Sequence, residues 1–328
     1  WTSQAARLER VSVKVCLFGV HRIVRPGIKT ARRCWWVLPV VAAAGILAAA
    51  CAGGDGESAP QTPTGASTIS IVTTLYPLEY FARRVGGERV SVVNLIAPGV
   101  EAHSFEPSPG DIRKLEGADM VMYMGPAFEP WLARAQEAMD GGPRLAIVFG
   151  VGVADPHLWL DPLKAMEMVS SISTSLSQID GDGEQLYDAN AEALLGELEA
   201  LHQRYLDGLE GCRLNLFVTS HAAFGHLASR YGLEQLPISG LSPEAEPGPR
   251  DLASMSDSLR EMGVKHILVE PVASTSFART LAREVGADLL PLHPLESLTP
   301  DEANRGEDYF TIMDSNLESL RLALECER

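Results

Sequence analysis

Residues 183–210 read GEQLYDANAEALLGELEALHQRYLDGLE, and this stretch decides the fold. It predicts one amphipathic helix of about 25 residues, because apolar side chains recur at helical spacing along it. These side chains are Leu194, Leu195, Leu198, Leu201, Tyr205 and Leu209. At 1.5 Å per residue the helix would be roughly 37 Å long, enough to run the length of two lobes. No Gly/Ser hinge accompanies it, so we expect a rigid connection.

Short apolar runs rich in β-branched residues lie on both sides of this helix, at 69–74, 90–96, 120–124, 145–149, 214–219, 236–239, 266–269 and 288–292. Helical segments are predicted between several of them, at 78–85, 108–115, 131–139, 222–230, 249–262 and 276–285. Buried strands that alternate with helices are typical of parallel βαβ units. We therefore predict an α/β protein with an N-terminal lobe at 68–182, a linking helix at 183–211 and a C-terminal lobe at 212–328. Each lobe should hold a roughly four-stranded parallel sheet flanked by helices.

The charge of the chain is unevenly distributed. The 328 residues include 27 Lys and Arg against 43 Asp and Glu, a net charge of −16. Residues 1–50 hold eight basic residues and one acid, which leaves a net charge of −23 for residues 51–328. An acidic body argues against nucleic acid or anionic lipid as the main partner, since both attract basic surfaces. It is compatible with a cationic ligand.

The first fifty residues have the pattern of an export signal. Arg32 and Arg33 precede an uncharged apolar run at 34–50 that ends in three alanines before Cys51. This order of a basic region, a short apolar region and small residues is typical of a secretory signal peptide. A single membrane span is the alternative, although the run is short for one and Pro39 and Gly45 interrupt it. We interpret 1–50 as an upstream extension plus signal peptide and exclude it from fold reasoning. Residues 51–67, rich in Gly, Ser and Pro, are interpreted as a flexible tether.

Four loops carry candidate metal ligands where predicted strands end. They contain His103, His157, His221 and, after the last strand, both His293 and Glu296. The capping of a helix by Asp161, with Pro162 in its first turn, explains those two residues but leaves His157 without a role. Because parallel strands present their carboxyl ends at one edge of a sheet, the four loops should face one another between the lobes. Imidazole and carboxylate without cysteine suit Zn²⁺, with Mn²⁺ possible.

Several motifs together resemble the metal-binding lipoproteins of bacterial zinc and manganese ABC importers. They are EAHSFEPSPG at 101–110, DPHLWLDP at 155–162, TSHAAF at 219–224 and GLSPEAEPGP at 240–249. The resemblance covers about 68–328 and implies that His103, His157 and His221 are metal ligands and that Cys51 is a lipid anchor. Its fourth ligand varies among members: either Glu296, which we favour, or a residue aligned with His293. Two departures from the family pattern are Ala222 and His226, where Asp and an aromatic residue are common.

The resemblance implies an extracytoplasmic, lipid-anchored and monomeric protein that captures Zn²⁺ and delivers it to a membrane permease with its ATPase. It implies no nucleic-acid partner and no enzymatic activity. The rival is an extracellular zinc hydrolase, because three protein ligands with an open fourth position are the catalytic pattern. Against it, no HExxH motif is present. A surface adhesin is a third possibility. A disulfide between Cys212 and Cys326 is compatible with export, but the sequence does not give their distance.

Overall fold

The computed structural model describes residues 14–17, 68–139, 143, 145–243 and 248–327. The chain folds as an α/β protein whose strands are β1 Lys14–Leu17, β2 Ile69–Thr73, β3 Val90–Asn94, β4 Met120–Tyr123, β5 Leu145–Val148, β6 Leu216–Thr219, β7 Glu234–Pro237, β8 His266–Val269 and β9 Asp288–Pro291. Its helices are α1 Tyr76–Gly86, α2 Pro109–Gly117, α3 Trp131–Ala138, α4 Pro162–Ile179, α5 Glu184–Leu209, α6 Gly225–Arg230, α7 Pro249–Met262, α8 Ser276–Val285, α9 Pro300–Arg305 and α10 Tyr309–Ala323.

Two parallel sheets, one per lobe, share the same topology. In the C-terminal lobe the strand order is β7-β6-β8-β9, and in the N-terminal lobe it is β3-β2-β4-β5, so each sheet begins in its interior and winds outward in both directions. The predicted fold class is confirmed. In both lobes the connecting helices cover the faces of the sheet, and the loops at the carboxyl ends of the strands are free to build a site.

One strand lies outside the prediction. Strand β1 lies within residues 1–50, which the sequence indicates to be an upstream extension and signal peptide, and it pairs antiparallel with β5, with Val15 opposite Ile147. The N-terminal sheet is therefore five-stranded rather than four-stranded. The physical reason is that β5 would otherwise be a sheet edge, whose free N–H and C=O groups can accept any short extended segment.

The linking helix α5 has the predicted amphipathic character. Its buried face repeats every three or four residues, through Tyr187, Ala191, Leu194, Leu198, Leu201, Tyr205 and Leu209. This face belongs to a continuous apolar core that includes residues of both lobes, such as Leu78 and Leu227. The Tyr205 hydroxyl also donates a hydrogen bond to the Met313 carbonyl on α10 at 2.7 Å. The two lobes are thus joined through a shared core as well as through the chain.

The start of helix α6 differs from the sequence prediction, and the structure also shows whether Cys212 and Cys326 are joined. Helix α6 begins at Gly225 rather than at residue 222, and the Ala222 N–H donates a hydrogen bond to the Gly240 carbonyl at 2.9 Å. The segment that carries His221 is consequently an irregular loop. A disulfide joins Cys212 to Cys326 and fastens the end of the chain beside the C-terminus of α5.

Candidate metal centre

Four side chains from four separate loops meet between the lobes. One ligand atom from each of His103, His157, His221 and Glu296 lies within 4.8 Å of all the others. His103 follows β3 and His157 follows β5 in the N-terminal lobe, whereas His221 follows β6 and Glu296 follows β9 in the C-terminal lobe. The four side chains therefore meet at the carboxyl ends of the strands of both sheets, where the sequence places the candidate ligands.

The three imidazoles surround the Glu296 carboxylate almost symmetrically. Their ring centroids form a triangle with sides of 5.4, 5.5 and 5.6 Å. The Nε2 atoms of His103, His157 and His221 lie 3.3, 3.2 and 3.4 Å from Glu296 Oε1. The side chains of His157 and His221 are fully buried, and those of His103 and Glu296 are only 8% and 7% exposed. Three nitrogen atoms and one oxygen atom thus enclose a small common space.

Two of these nitrogen atoms are buried without a well-formed hydrogen bond. Among the described residues, His157 Nε2 and His221 Nε2 have no partner of good geometry, although the Glu296 oxygen lies nearby. Leaving a buried polar atom unpaired costs about 1–3 kcal/mol, so native proteins rarely do it without a reason. A cation among the four ligand atoms would satisfy both nitrogens. The donor set of imidazole and carboxylate fits Zn²⁺.

A second carboxylate holds each of the two fully buried imidazoles. His157 Nδ1 lies 2.7 Å from Asp155 Oδ1, which also accepts the backbone N–H of His157 at 3.0 Å. His221 Nδ1 lies 2.5 Å from Glu270 Oε1. Because an ionised carboxylate can only accept hydrogen bonds, Nδ1 of each ring carries the proton. This tautomer leaves the Nε2 lone pair available for a metal, as in carboxylate–histidine–zinc arrangements.

The electrostatics of the metal-free site favour protonated imidazoles. Burial lowers the pKa of His221, but its hydrogen bond with Glu270 and the charge of Glu296 outweigh burial and raise the pKa to about 10. Burial likewise lowers the pKa of His157, while Asp155 and Glu296 raise it to a net value above the usual 6.5. For Glu296, burial raises the pKa, but the three surrounding imidazoles hold it well below its usual range. A bound cation would replace these protons.

The loop that carries Glu296 is held in place by the opposite lobe. Trp159 Nε1 donates a hydrogen bond to the Pro294 carbonyl at 2.7 Å, and the Tyr76 N–H donates to the Glu296 carbonyl at 3.2 Å. Between these two contacts, Leu295 has a φ of 62° and is fully buried. A left-handed backbone is uncommon for leucine and persists only where the surrounding structure imposes it. These contacts direct the Glu296 carboxylate toward the imidazoles.

The alternative candidate, His293, lies outside the cluster. Its Nδ1 accepts the Leu295 N–H at 2.8 Å, so the proton is on Nε2, which lies 3.1 Å from Glu302 Oε2. Its backbone N–H and C=O are both bonded to the Asn316 side-chain amide, at 2.7 and 2.8 Å. Both ring nitrogens are therefore engaged in shaping the loop. The structure brings together the favoured set with Glu296 and leaves His293 in a supporting position.

Comparisons with known proteins agree with this geometry. The model of the zinc-uptake complex component A periplasmic family, ZnuA, matches residues 71–323. The chain belongs to the ZnuA family. It is 32% identical over 313 residues to the high-affinity zinc uptake system protein ZnuA of Bacillus subtilis, an alignment that covers 88% of this chain and 98% of that protein.

Members of the ZnuA family from streptococci are also similar. The chain is 35% identical over 289 residues to the zinc-binding protein AdcA of Streptococcus pyogenes, covering 78% of this chain but only 56% of AdcA. It thus spans about half the length of that relative. The crystal structure of the Zn(II)-bound ZnuA-like domain of Streptococcus pneumoniae AdcA superposes with a TM-score of 0.70 at 35% identity, covering 79% of this chain and 100% of that one.

One of the two departures from the ZnuA family pattern has a structural role here. His226, on α6, places Nε2 2.9 Å from the carbonyl oxygen of Asp155. On the same helix, Arg230 makes a forked ion pair with Asp161, with contacts of 2.7–3.0 Å. Helix α6 of the C-terminal lobe therefore docks on the 155–161 segment, which carries His157 of the four-residue cluster.

The sequence reasoning did not assign Asp155 and Glu270. Asp155 stands two residues before His157 in the quoted DPH motif, and Glu270 directly follows β8, at the same sheet edge as His221. The sequence offers two signals for these roles: Asp155 stands close to a histidine, and Glu270 stands at the end of a strand. Neither specifies by itself that the side chain turns toward an imidazole Nδ1.

The predictions for the N-terminal region concern residues outside the described ones, with the exception of β1. They are the signal peptide within 1–50, the single-span alternative at 34–50, the anchor Cys51 and the tether 51–67. Among the helices that the structure describes, none has the combined length and apolarity to cross a bilayer.

Proposed function

We propose that this chain captures Zn²⁺ outside the cytoplasm and delivers it to the membrane permease of an ABC importer, whose ATPase supplies the energy. The observation that carries the proposal is the convergence of four ligand atoms from both lobes within 4.8 Å. Membership of the ZnuA family and the zinc named in its relatives support the same reading.

In this proposal His103, His157 and His221 bind the metal through Nε2, and Glu296 supplies an oxygen ligand. Three neutral imidazoles and one carboxylate leave a net charge of +1 with Zn²⁺. The nearby carboxylates of Asp155 and Glu270 offset this charge and keep the imidazoles in the binding tautomer. Three nitrogens and one oxygen suit zinc better than manganese, which prefers oxygen ligands, although Mn²⁺ is a possible second cargo.

Titration of metal-free protein with Zn²⁺ and Mn²⁺ tests the ligand set. We expect one zinc per chain and a large loss of affinity in Glu296→Ala. His293→Ala is the matched control, because it removes an acceptor from the same loop without removing a ligand. The proposal for Glu296 fails if His293→Ala loses zinc and Glu296→Ala retains it. The transport proposal fails if the unaltered protein binds no zinc.

The same centre bears on the hydrolase alternative. A catalytic zinc site has three protein ligands and keeps a fourth position open for water. Here the Glu296 carboxylate lies 3.2 Å from His157 Nε2 and can occupy that fourth position. X-ray absorption spectroscopy of the zinc-loaded protein would distinguish three nitrogen ligands and one carboxylate from a site with bound water. A coordinated water would favour catalysis over transport.

The location follows from the N-terminal sequence. We infer that residues 1–50 direct export, that Cys51 carries the lipid anchor and that 51–67 tether a monomeric body of two lobes, 68–182 and 212–328, joined by 183–211. Labelling cells with a radioactive fatty acid tests the anchor, since Cys51→Ser should abolish incorporation into this protein. Incorporation that persists in this variant would contradict the assignment.

A further inference from the structure

Two adjoining cavities border the metal centre on one side. The larger has a volume of about 430 Å³ and lies between Glu101 of the N-terminal lobe and the 272–278 segment of the C-terminal lobe. The smaller, of about 10 Å³, has room for about one water molecule and reaches Glu296 itself. Glu101, Val272 and Ala273 line both cavities. These three residues therefore form the constriction between the wide cavity and the ligands.

The other side of the centre is closed by aromatic rings. The Phe128 ring lies 4.3 Å from that of His103, and the Trp159 ring lies 5.3 Å from that of His157. Phe128, Trp159, His157 and His221 are all buried. Of the four proposed ligands, only His103 and Glu296 have partly exposed side chains. His103 stands two residues after Glu101 in the chain, and Glu296 lines the small cavity together with Glu101. Among the described residues, the small cavity reaches Glu296 from this side, so an ion can approach the ligands here without disturbing the core.

The residues that line the two cavities suit a cation. Glu101, Glu270 and Glu296 contribute three carboxylates, and no Lys or Arg is among the described residues that line either cavity. The Glu101 carboxylate is held in place by the backbone N–H groups of His103 and Ser104, at 3.0 and 2.7 Å. A walled path with carboxylates along it concentrates cations near its inner end.

We propose that Zn²⁺ enters and leaves through these two cavities, passing the constriction formed by Glu101, Val272 and Ala273, with Glu101 as the first carboxylate that the ion meets. This inference rests on the proposed zinc-binding function and adds the route and its narrowest point. Because none of these three residues is one of the four proposed ligands, narrowing the constriction should change the rates of binding and release and leave the equilibrium unchanged.

Rapid-mixing kinetics with Zn²⁺ alone, and release into an excess of chelator, test the route. In Ala273→Leu we expect association and dissociation to slow by the same factor, about tenfold, with an unchanged dissociation constant. Val272→Phe narrows the same constriction with a different side chain. A circular dichroism spectrum like that of the unaltered protein shows that a variant is folded, and the rates of a folded variant test the route. Ala303→Leu is the matched control, because Ala303 is exposed and lines a separate cavity of about 260 Å³. Rates equal to those of the unaltered protein in both obstructed variants would overturn the proposal.

Glu101→Gln tests the carboxylate separately. The amide oxygen can still accept a backbone N–H, but the charge is gone, so we expect slower association with a weaker dependence on ionic strength. An unchanged association rate and salt dependence would remove Glu101 from the route. Failure of the proposed function would look different, since the unaltered protein would then bind no zinc at all.

Discussion

The ion pair between Arg230 and Asp161 should be a main determinant of how firmly the two lobes hold together near the metal centre. The guanidinium of Arg230 on α6 makes a forked contact with the carboxylate of Asp161, which is only 1% exposed and also accepts the Leu163 N–H as the cap of α4. The variant Arg230→Met keeps the apolar stem of the side chain and removes only the charge and its hydrogen bonds.

The expected magnitude follows from burial. Removing one partner of a buried pair leaves an uncompensated charge and costs about 3–5 kcal/mol. Arg230 is 23% exposed, so water can partly solvate Asp161 in the variant, and the Leu163 N–H remains. We therefore expect the free energy of unfolding to fall by about 3 kcal/mol, near the lower end of that range. For a protein of this size the melting temperature should drop by roughly 4–6 °C.

Urea and thermal unfolding of the metal-free protein measure this change, because bound zinc would add its own stabilisation. The matched control is Arg204→Met, which removes an ion pair with Asp314 whose side chains are 43% and 48% exposed. Exposed pairs contribute about 0–1 kcal/mol, so the control should unfold almost like the unaltered protein. Similar losses in Arg230→Met and Arg204→Met would refute the reasoning from burial.

Two further predictions concern the metal centre. A Cβ at Gly225 would lie 2.8 Å from Asp155 Oδ2, so Gly225→Ala should displace that carboxylate and weaken zinc binding by about tenfold, as other losses of carboxylate support do. Gly196→Ala, in open space on α5, should instead raise the free energy of unfolding by about 0.5–1 kcal/mol without changing zinc affinity; equal zinc affinities in the two variants would contradict the steric argument. The raised pKa of His221, about 10 against 6.5 in the unfolded chain, stabilises the metal-free protein fully below pH 6.5, and this stabilisation is lost as the pH rises through 10. Since zinc must displace the proton, competition with a chelator should show zinc affinity increasing from pH 5 to 7.5, by up to about tenfold per pH unit for each proton displaced; constant affinity would exclude this competition.

Much of the fold could be predicted from the sequence because local periodicity determines it. The apolar repeat at 183–210 matches helix α5 at Glu184–Leu209, and the predicted helices at 249–262 and 276–285 coincide with α7 and α8. The prediction was wrong at residues 222–224, where the Ala222 N–H finds a partner at Gly240, far along the chain. Propensity could not reveal a contact of that kind, because it depends on where the next loop lies.

The choice between His293 and Glu296 as the fourth residue of the cluster could not be predicted from the sequence either. His293 and Glu296 stand three residues apart on one loop, and the spacing allows either to reach the site. The selection depends on the left-handed backbone of Leu295 and on the hydrogen bond from Trp159 to the carbonyl of Pro294. Trp159 belongs to the other lobe, so the identity of the fourth residue in the cluster is a property of the assembled structure.

The local arrangement of charge, rather than the net charge of −16, makes the centre suited to a divalent cation. Asp155, Glu270 and Glu296 place three carboxylates around buried imidazoles, and the described residues that the imidazoles contact there include no Lys or Arg. In the metal-free protein the raised pKa values of His157 and His221 favour protons on these two imidazoles, which offset part of this negative charge. A divalent ion among the Nε2 atoms balances two of the three charges at once and lets Nδ1 of His157 and His221 keep its hydrogen bond. A monovalent ion in the same position would balance only one of the three charges.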